Sequence, residues 1–173
     1  LGLVLGARGL LVVAAARPQA TVGDIHREGT VILAMDTSTS MRATDLSPTR
    51  LDAARSAAKA FVQAQPPSIK IGVVSFSDGG LVLQAPTDSQ ADVLAALDRL
   101  KAQGSTSLGQ GIYASLQAIS GGKLKLTQEQ LAGGVDNLDI GHFASARIVL
   151  VSDGEDTSRI DPLALARLAG VAG

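Results

Sequence analysis

A chain of 173 residues is long enough for one globular domain with a sizeable core, and with 46% hydrophobic but only 2% aromatic residues that core must be built from Ala, Val, Leu and Ile. The net charge of −1 provides no global field toward nucleic acid or acidic lipid. The absence of cysteine excludes disulfides, thiolate metal sites and a cysteine nucleophile.

The chain opens on Leu1, and residues 1–17 are nearly all apolar, with Arg8 the one charge before Arg17. A membrane helix needs about 20 such residues. The stretch therefore reads as the end of a transmembrane or anchor segment, with a buried or amphipathic helix and a signal-peptide remnant as the other readings. Residues 18–29 are polar and turn-rich and read as a linker.

From there a βα rhythm begins. VILAM (31–35) is a short apolar run, as expected of a strand buried on both faces. Residues 48–65 turn helical, with Leu51, Ala54, Ala58, Phe61 and Val62 on one face and Arg50, Arg55 and Lys59 elsewhere. Pro66-Pro67 ends that helix. IKIGVVSF (69–76) predicts a second strand, Asp78-Gly79-Gly80 a tight turn, and LVLQA (81–85) a third strand, antiparallel to the second because so short a connection makes a hairpin. Helices are predicted over 89–100 and 108–119.

Residues 120–145 interrupt the rhythm and read as a surface excursion with one short helix near Thr127–Leu131. RIVLVSD (147–153) predicts a fourth strand and 162–171 a last helix. Alternating strands and helices imply an α/β fold, a doubly wound, mostly parallel Rossmann-like sheet with helices on both faces and one antiparallel edge hairpin strand. In such a fold the last helix should lead into a further strand, so the C-terminal strand and helix of the full domain are expected to be missing from the domain at 30–173.

Three polar clusters fall where this architecture places sites: Asp36-Thr37-Ser38-Thr39-Ser40, Gly104-Ser105-Thr106-Ser107 and Ser152-Asp153-Gly154-Glu155-Asp156. In open α/β sheets ligands bind beyond the carboxyl ends of the strands. Carboxylates and hydroxyls without sulfur or a nearby imidazole are hard oxygen donors, suited to Mg²⁺, Mn²⁺ or Ca²⁺. In a loop leaving a strand, Asp36, Ser38 and Ser40 can point to one side and Thr37 and Thr39 away. Alone, Asp36-x-Ser-x-Ser could also be a helix N-cap cluster. Glu155 and Asp156 read as solvated loop acids, Asp78 as turn chemistry, Asp45 as a loop acid and Asp52 as a first-turn helix acid. His26 and His142 lie in the linker and the excursion and receive no role.

D-x-S-x-S after a strand, a threonine in a glycine-rich loop and an aspartate in an S-D-G loop resemble the metal-ion-dependent adhesion site of von Willebrand factor A domains. The resemblance covers roughly 30–171. It implies the strand order 3-2-1-4, with the first and fourth strands neighbours, and Asp36, Ser38, Ser40, Thr106 and Asp153 as the metal ligands. "ARPQ" (16–19), "DLSPTRLDAA" (45–54), "GSTSLGQGI" (104–112) and "LVSDGEDTSRIDP" (150–162) further resemble membrane-anchored bacterial proteins of the aerotolerance-related (Bat) type. That group is associated with MoxR-type AAA ATPases. Thr37 and Thr39 stand where Val and Gly are common in it.

The function expected is a divalent-metal-dependent protein-binding module, neither an enzyme nor a nucleic-acid binder, in which a partner's acidic side chain completes the metal shell. The resemblance places it on a cell membrane, facing the extracytoplasmic side. The alternative is a Mg²⁺-dependent phosphohydrolase with Asp36 as nucleophile, but Ser38 stands where that chemistry wants a second acid, and no lysine is well placed for a transferring phosphate. No P-loop and no G-x-S-x-G elbow is present. A third reading is a membrane scaffold whose metal is purely structural.

Overall fold

The computed structural model describes residues 29–127, 130–131, 140–143, 145–154, 156–158 and 160–172. The expected anchor and the linker up to residue 28 lie outside them. Among the described residues no helix is long and apolar enough to cross a membrane.

The elements run β1 (Gly29–Asp36), a 3₁₀ turn (Thr39–Arg42), α1 (Arg50–Ala64), β2 (Ile69–Phe76), β3 (Gly80–Thr87), α2 (Gln90–Asp98), α3 (Leu108–Ile119), β4 (Ala146–Val151) and α4 (Pro162–Ala172). The sheet order is β3-β2-β1-β4. β1 pairs in parallel with β2 and β4, and β2 antiparallel with β3. This is the expected 3-2-1-4 sheet. Of the expected helix near Thr127–Leu131, the start is visible: Thr127 and Gln130 exchange side-chain-to-backbone hydrogen bonds as a capping box, and Leu131 N–H donates to the Thr127 carbonyl. Residues 128–129 lie outside the described set.

The strand period of two sorts β1 between two cores. Leu33 and Met35 pack with Leu51, Ala58 and Val62 of α1 and Val93, Ala96 and Leu97 of α2. Ile32 and Ala34 pack on the opposite face with Ala114 and Ala118 of α3. Leu116 of α3 then packs with Leu165 and Leu168 of α4. A Cβ at Gly111 would sit 2.7 Å from the buried Phe76 ring, so the missing side chain lets α3 lie close on the sheet.

Helices α1, α2 and α3 each start on a hydroxyl. Thr49 Oγ1 accepts from Asp52 N–H and donates to the Asp52 carboxylate, Ser89 accepts from Asp92 N–H, and Ser107 from Gln110 N–H. β1 is followed by α1 on one face and leads to β2, whereas β3 reaches β4 by way of α2 on that same face and α3 on the opposite one. The switch in winding direction therefore falls between β1 and β4, where open sheets form crevices. β4 is the outer strand among the described elements, with Val149 and Leu150 39% and 38% exposed.

Candidate functional site

β1 ends at Asp36, and its register pairs Met35 with Val151. Continued by one residue, that register sets Ser152 level with Asp36. Ser152 Oγ donates a 2.6 Å hydrogen bond to Asp36 Oδ2, and Asp36 Oδ1 accepts from Ser38 N–H at 2.8 Å. Asp36 is fully buried, so these bonds hold a charged group in a fixed orientation.

Past Asp36 the chain tightens into the 3₁₀ turn, and the predicted division of hydroxyls is realised. Ser38 Oγ and Ser40 Oγ lie 2.9 Å apart. Thr37 Oγ1 donates to the Phe76 carbonyl and Thr39 Oγ1 to the Gly104 carbonyl, so both threonines are committed to the backbone of neighbouring segments.

Thr39 N–H also donates to the Gly104 carbonyl, and Gln103 N–H to the Thr37 carbonyl, which ties the first loop to the second. Thr106 is buried in that second loop. Its carbonyl accepts from Thr157 N–H and Oγ1, and its N–H donates to Thr157 Oγ1. Since Ser152 returns to Asp36, the three segments form a closed hydrogen-bonded ring at the switch between β1 and β4. The structure thus joins Asp36, Ser38 and Ser40 directly, and brings the segments carrying Thr106 and Asp153 against them.

Asp153 leaves β4 with a side chain 10% exposed, and its Oδ2 accepts from Arg50 Nη1 at 2.9 Å. Arg50 turns its Nε and Nη2 to both oxygens of Asp45, at 2.8 and 2.9 Å. The Arg50 guanidinium holds the Asp45 carboxyl below the usual range, and Asp45 chiefly, then Asp153, raises Arg50.

Sequence reasoning left Arg50 on the polar side of α1, placed Ser152 in the third polar cluster without a role, and gave Thr157 none. Ser152 could have been found by extending the β1–β4 register one step. Asp78 is more than turn chemistry. Its Oδ1 accepts from Ser105 N–H at 3.0 Å and Ser105 Oγ at 2.5 Å, which fastens the Thr106 loop to the β2–β3 hairpin. Those bonds, the hydroxyl first, lower the Asp78 pKa. Asp52 is a first-turn acid as expected, also paired with Arg55. Asp156 and His142 are exposed, and Glu155 and His26 lie outside the described residues.

Among the described residues no group of three or more His, Cys, Asp or Glu side chains could hold a metal ion. Any cation here would have to draw on hydroxyls. The donor chemistry fits a hard dication, and one separation fits closely. Two oxygens at cis positions of an octahedral ion with bonds of about 2.1 Å are about 3.0 Å apart, and the Ser38–Ser40 hydroxyl oxygens stand 2.9 Å apart.

Comparison with known proteins agrees with this architecture. Residues 31–155 match the family profile of the von Willebrand factor type A domain. A UPF0353 protein of Mycobacterium sp. strain KMS is 38% identical over 153 residues, which cover 88% of this chain and 42% of that protein. The chain therefore spans less than half the length of that curated relative. The crystal structure of an aerotolerance-related membrane protein from Bacteroides fragilis superposes with a TM-score of 0.61 at 22% identity, covering 83% of this chain and 63% of that one. Proximal thread matrix protein 1 of the mussel byssus, whose structure has a zinc-occupied metal-ion-dependent adhesion-site motif, superposes with a TM-score of 0.59 at 19% identity, covering 85% of this chain and 34% of that one. At such identities the structural likenesses speak to fold. The profile match over residues 31–155, together with the strand order, makes the chain a member of the von Willebrand factor type A domain family.

Proposed function

We propose that this domain is a divalent-cation-dependent protein-binding module, in which Asp36, Ser38, Ser40, Thr106 and Asp153 hold one Mg²⁺ or Mn²⁺ and a carboxylate from a partner protein completes the shell. One observation carries the reading: three segments distant in sequence, each carrying an acid or a hydroxyl of the ligand set, are tied into a single ring at the switch between β1 and β4. A hard dication supplies a Lewis-acidic position that attracts an anionic oxygen. The chain supplies the orientation. Asp36 is pinned by Ser152 and by the Ser38 amide, and the Ser38 and Ser40 hydroxyls are paired. Three of the five ligands are neutral, so the site keeps an affinity for one more negative group.

The phosphohydrolase alternative is weaker on the same geometry. That chemistry wants a second acid two residues after the nucleophile, and there stands Ser38, whose hydroxyl is paired with Ser40 Oγ.

Membrane anchorage, an extracytoplasmic position and work beside a MoxR-type ATPase belong to the same proposal. Their support is the resemblance of the motif segments and the description of the Bacteroides fragilis neighbour as a membrane protein.

The test is thermal unfolding with chelator and with Mg²⁺ or Mn²⁺, followed by capture of partner proteins under both conditions. The dication should raise the melting temperature, and Asp36→Ala or Asp153→Ala should abolish both the shift and the cation-dependent capture. A folded wild type that melts identically in chelator and in cation defeats the reading. Cleavage of an aryl phosphate with Mg²⁺, lost in Asp36→Asn, would favour the enzyme.

A further inference from the structure

The ligand set leaves Arg50 without a role. It opens α1, outside the three motif segments, yet its guanidinium spans two carboxylates. Nε and Nη2 form a bidentate fork with exposed Asp45, and Nη1 reaches Asp153 Oδ2. The Asp45 side chain is 56% exposed and the Asp153 side chain 10%, so solvent screens the first contact far more than the second. Asp36 and Asp153 leave the ends of neighbouring strands, and their charges oppose each other without a cation nearby. Arginine is positively charged at every working pH, so this compensation is permanent.

We propose, resting on the dication reading of the site, that Arg50 is a tethered counter-cation that shares Asp153 with the dication. Arg50 keeps Asp153 in position in the metal-free protein, and its charge opposes binding of the dication. Asp45, by holding the other edge of the guanidinium, sets how much of that charge Asp153 experiences. Substitutions at the two residues therefore move cation affinity in opposite directions. Loss of Arg50 strengthens dication binding, while loss of Asp45 frees the guanidinium for Asp153 and weakens it. A purely structural ion pair would give the opposite result at Arg50, because a loosened Asp153 binds a cation less well.

The experiment compares wild type, Arg50→Gln and Asp45→Asn by thermal unfolding in chelator and in Mn²⁺, with calorimetric titration of Mn²⁺. In chelator, Arg50→Gln should melt lower than wild type by about 2–4 °C, and saturating Mn²⁺ should recover most of that loss. Its Mn²⁺ affinity should rise roughly three- to tenfold, and that of Asp45→Asn should fall by a similar factor. An Arg50→Gln affinity equal to or below wild type, or a melting deficit of the same size with and without Mn²⁺, overturns the proposal. If Arg50→Gln does not fold, Asp45→Asn decides, since its affinity equal to or above wild type also overturns it. A wild type that binds no Mn²⁺ defeats the dication reading as it stands. In that event binding gained by Arg50→Gln upholds the counter-cation role, and no binding by either protein ends both.

Discussion

Ser152 Oγ lies 2.6 Å from Asp36 Oδ2 and donates to it across 116 residues of chain, from the segment after β4 to the end of β1. The same hydroxyl accepts from Gly154 N–H at 3.1 Å. One side chain therefore orients the buried acid and shapes the turn that follows Asp153. Ser152→Ala removes a charge-assisted hydrogen bond to a fully buried carboxylate. The expected loss is about 2 kcal/mol of unfolding free energy, read by denaturant titration in chelator. Ser152→Thr keeps the hydroxyl and should recover much of it. An alanine variant as stable as wild type would show that Asp36 is held by the Ser38 amide alone.

The two buried threonines near the site separate structural from ligand roles. Thr37 Oγ1 donates to the Phe76 carbonyl at 3.0 Å, a bond between the ends of β1 and β2. Thr37→Ala should cost about 1 kcal/mol in stability and leave Mn²⁺ affinity within twofold. Thr106→Ala should do the reverse, with a modest stability change in chelator and a cation affinity reduced at least tenfold. Calorimetric titration and unfolding on the same two variants check both halves. Equal effects on affinity would remove Thr106 from the ligand set.

The elements themselves were legible in the sequence because each has a simple periodic cause. Strand β2 (Ile69–Phe76) and helix α3 (Leu108–Ile119) fall on the residues their apolar patterns mark, since Pro66-Pro67 and the Ser107 cap bound them locally. The Asp36-x-Ser-x-Ser segment could be read as a candidate site only together with Thr106 and Asp153, because alone it also fits a helix N-cap cluster. Other parts were hidden for one shared reason, which is that their meaning lies in partners far away in sequence. Arg50 meets Asp153 across 103 residues, Thr157 meets Thr106 across 51 and Asp78 meets Ser105 across 27. Read locally, the first is a polar helix residue, the second a loop hydroxyl and the third a turn acid. The 3₁₀ turn over Thr39–Arg42 was hidden too, because its bonds to Gly104 and Ala102 set it rather than its own composition.

Asp78 and Gly104 together hold the Thr106 loop in place. Gly104 has φ +78°, a conformation that favours glycine, and a Cβ there would run into the Asp78 carboxylate. Gly104→Ala should therefore cost more than the roughly 1 kcal/mol of left-handed backbone strain alone. The Asp78 carboxyl has its pKa lowered by the Ser105 hydroxyl and amide. A carboxyl whose folded pKa is depressed contributes stability that is present above its ordinary value of 3.8 and lost as pH falls through the lowered value. Asp78→Asn should accordingly be less stable than wild type at pH 5–7, with the difference shrinking below pH 3.8. Urea midpoints measured from pH 2.5 to 7 test this, and a pH-independent difference would mean that ionisation of Asp78 contributes nothing to stability.

Gly111 tests how closely α3 must lie on the sheet for the site to form. Two opposing effects meet there. Replacing a mid-helix glycine by alanine favours the helix by about 1 kcal/mol. The added Cβ would stand 2.7 Å from the ring of Phe76, which is 1% exposed and has no room to retreat. Overpacking of this kind costs about 1–3 kcal/mol, so the net effect of Gly111→Ala should be a loss of roughly 1 kcal/mol. The consequence should extend beyond stability. α3 begins at Leu108, two residues after Thr106, and Phe76 supplies the carbonyl that Thr37 binds. A helix pushed off Phe76 therefore disturbs two of the segments that meet at Asp36, and Mn²⁺ affinity should fall together with the unfolding midpoint. A Gly111→Ala protein more stable than wild type would mean that Phe76 can tilt within its cluster and that helix propensity wins.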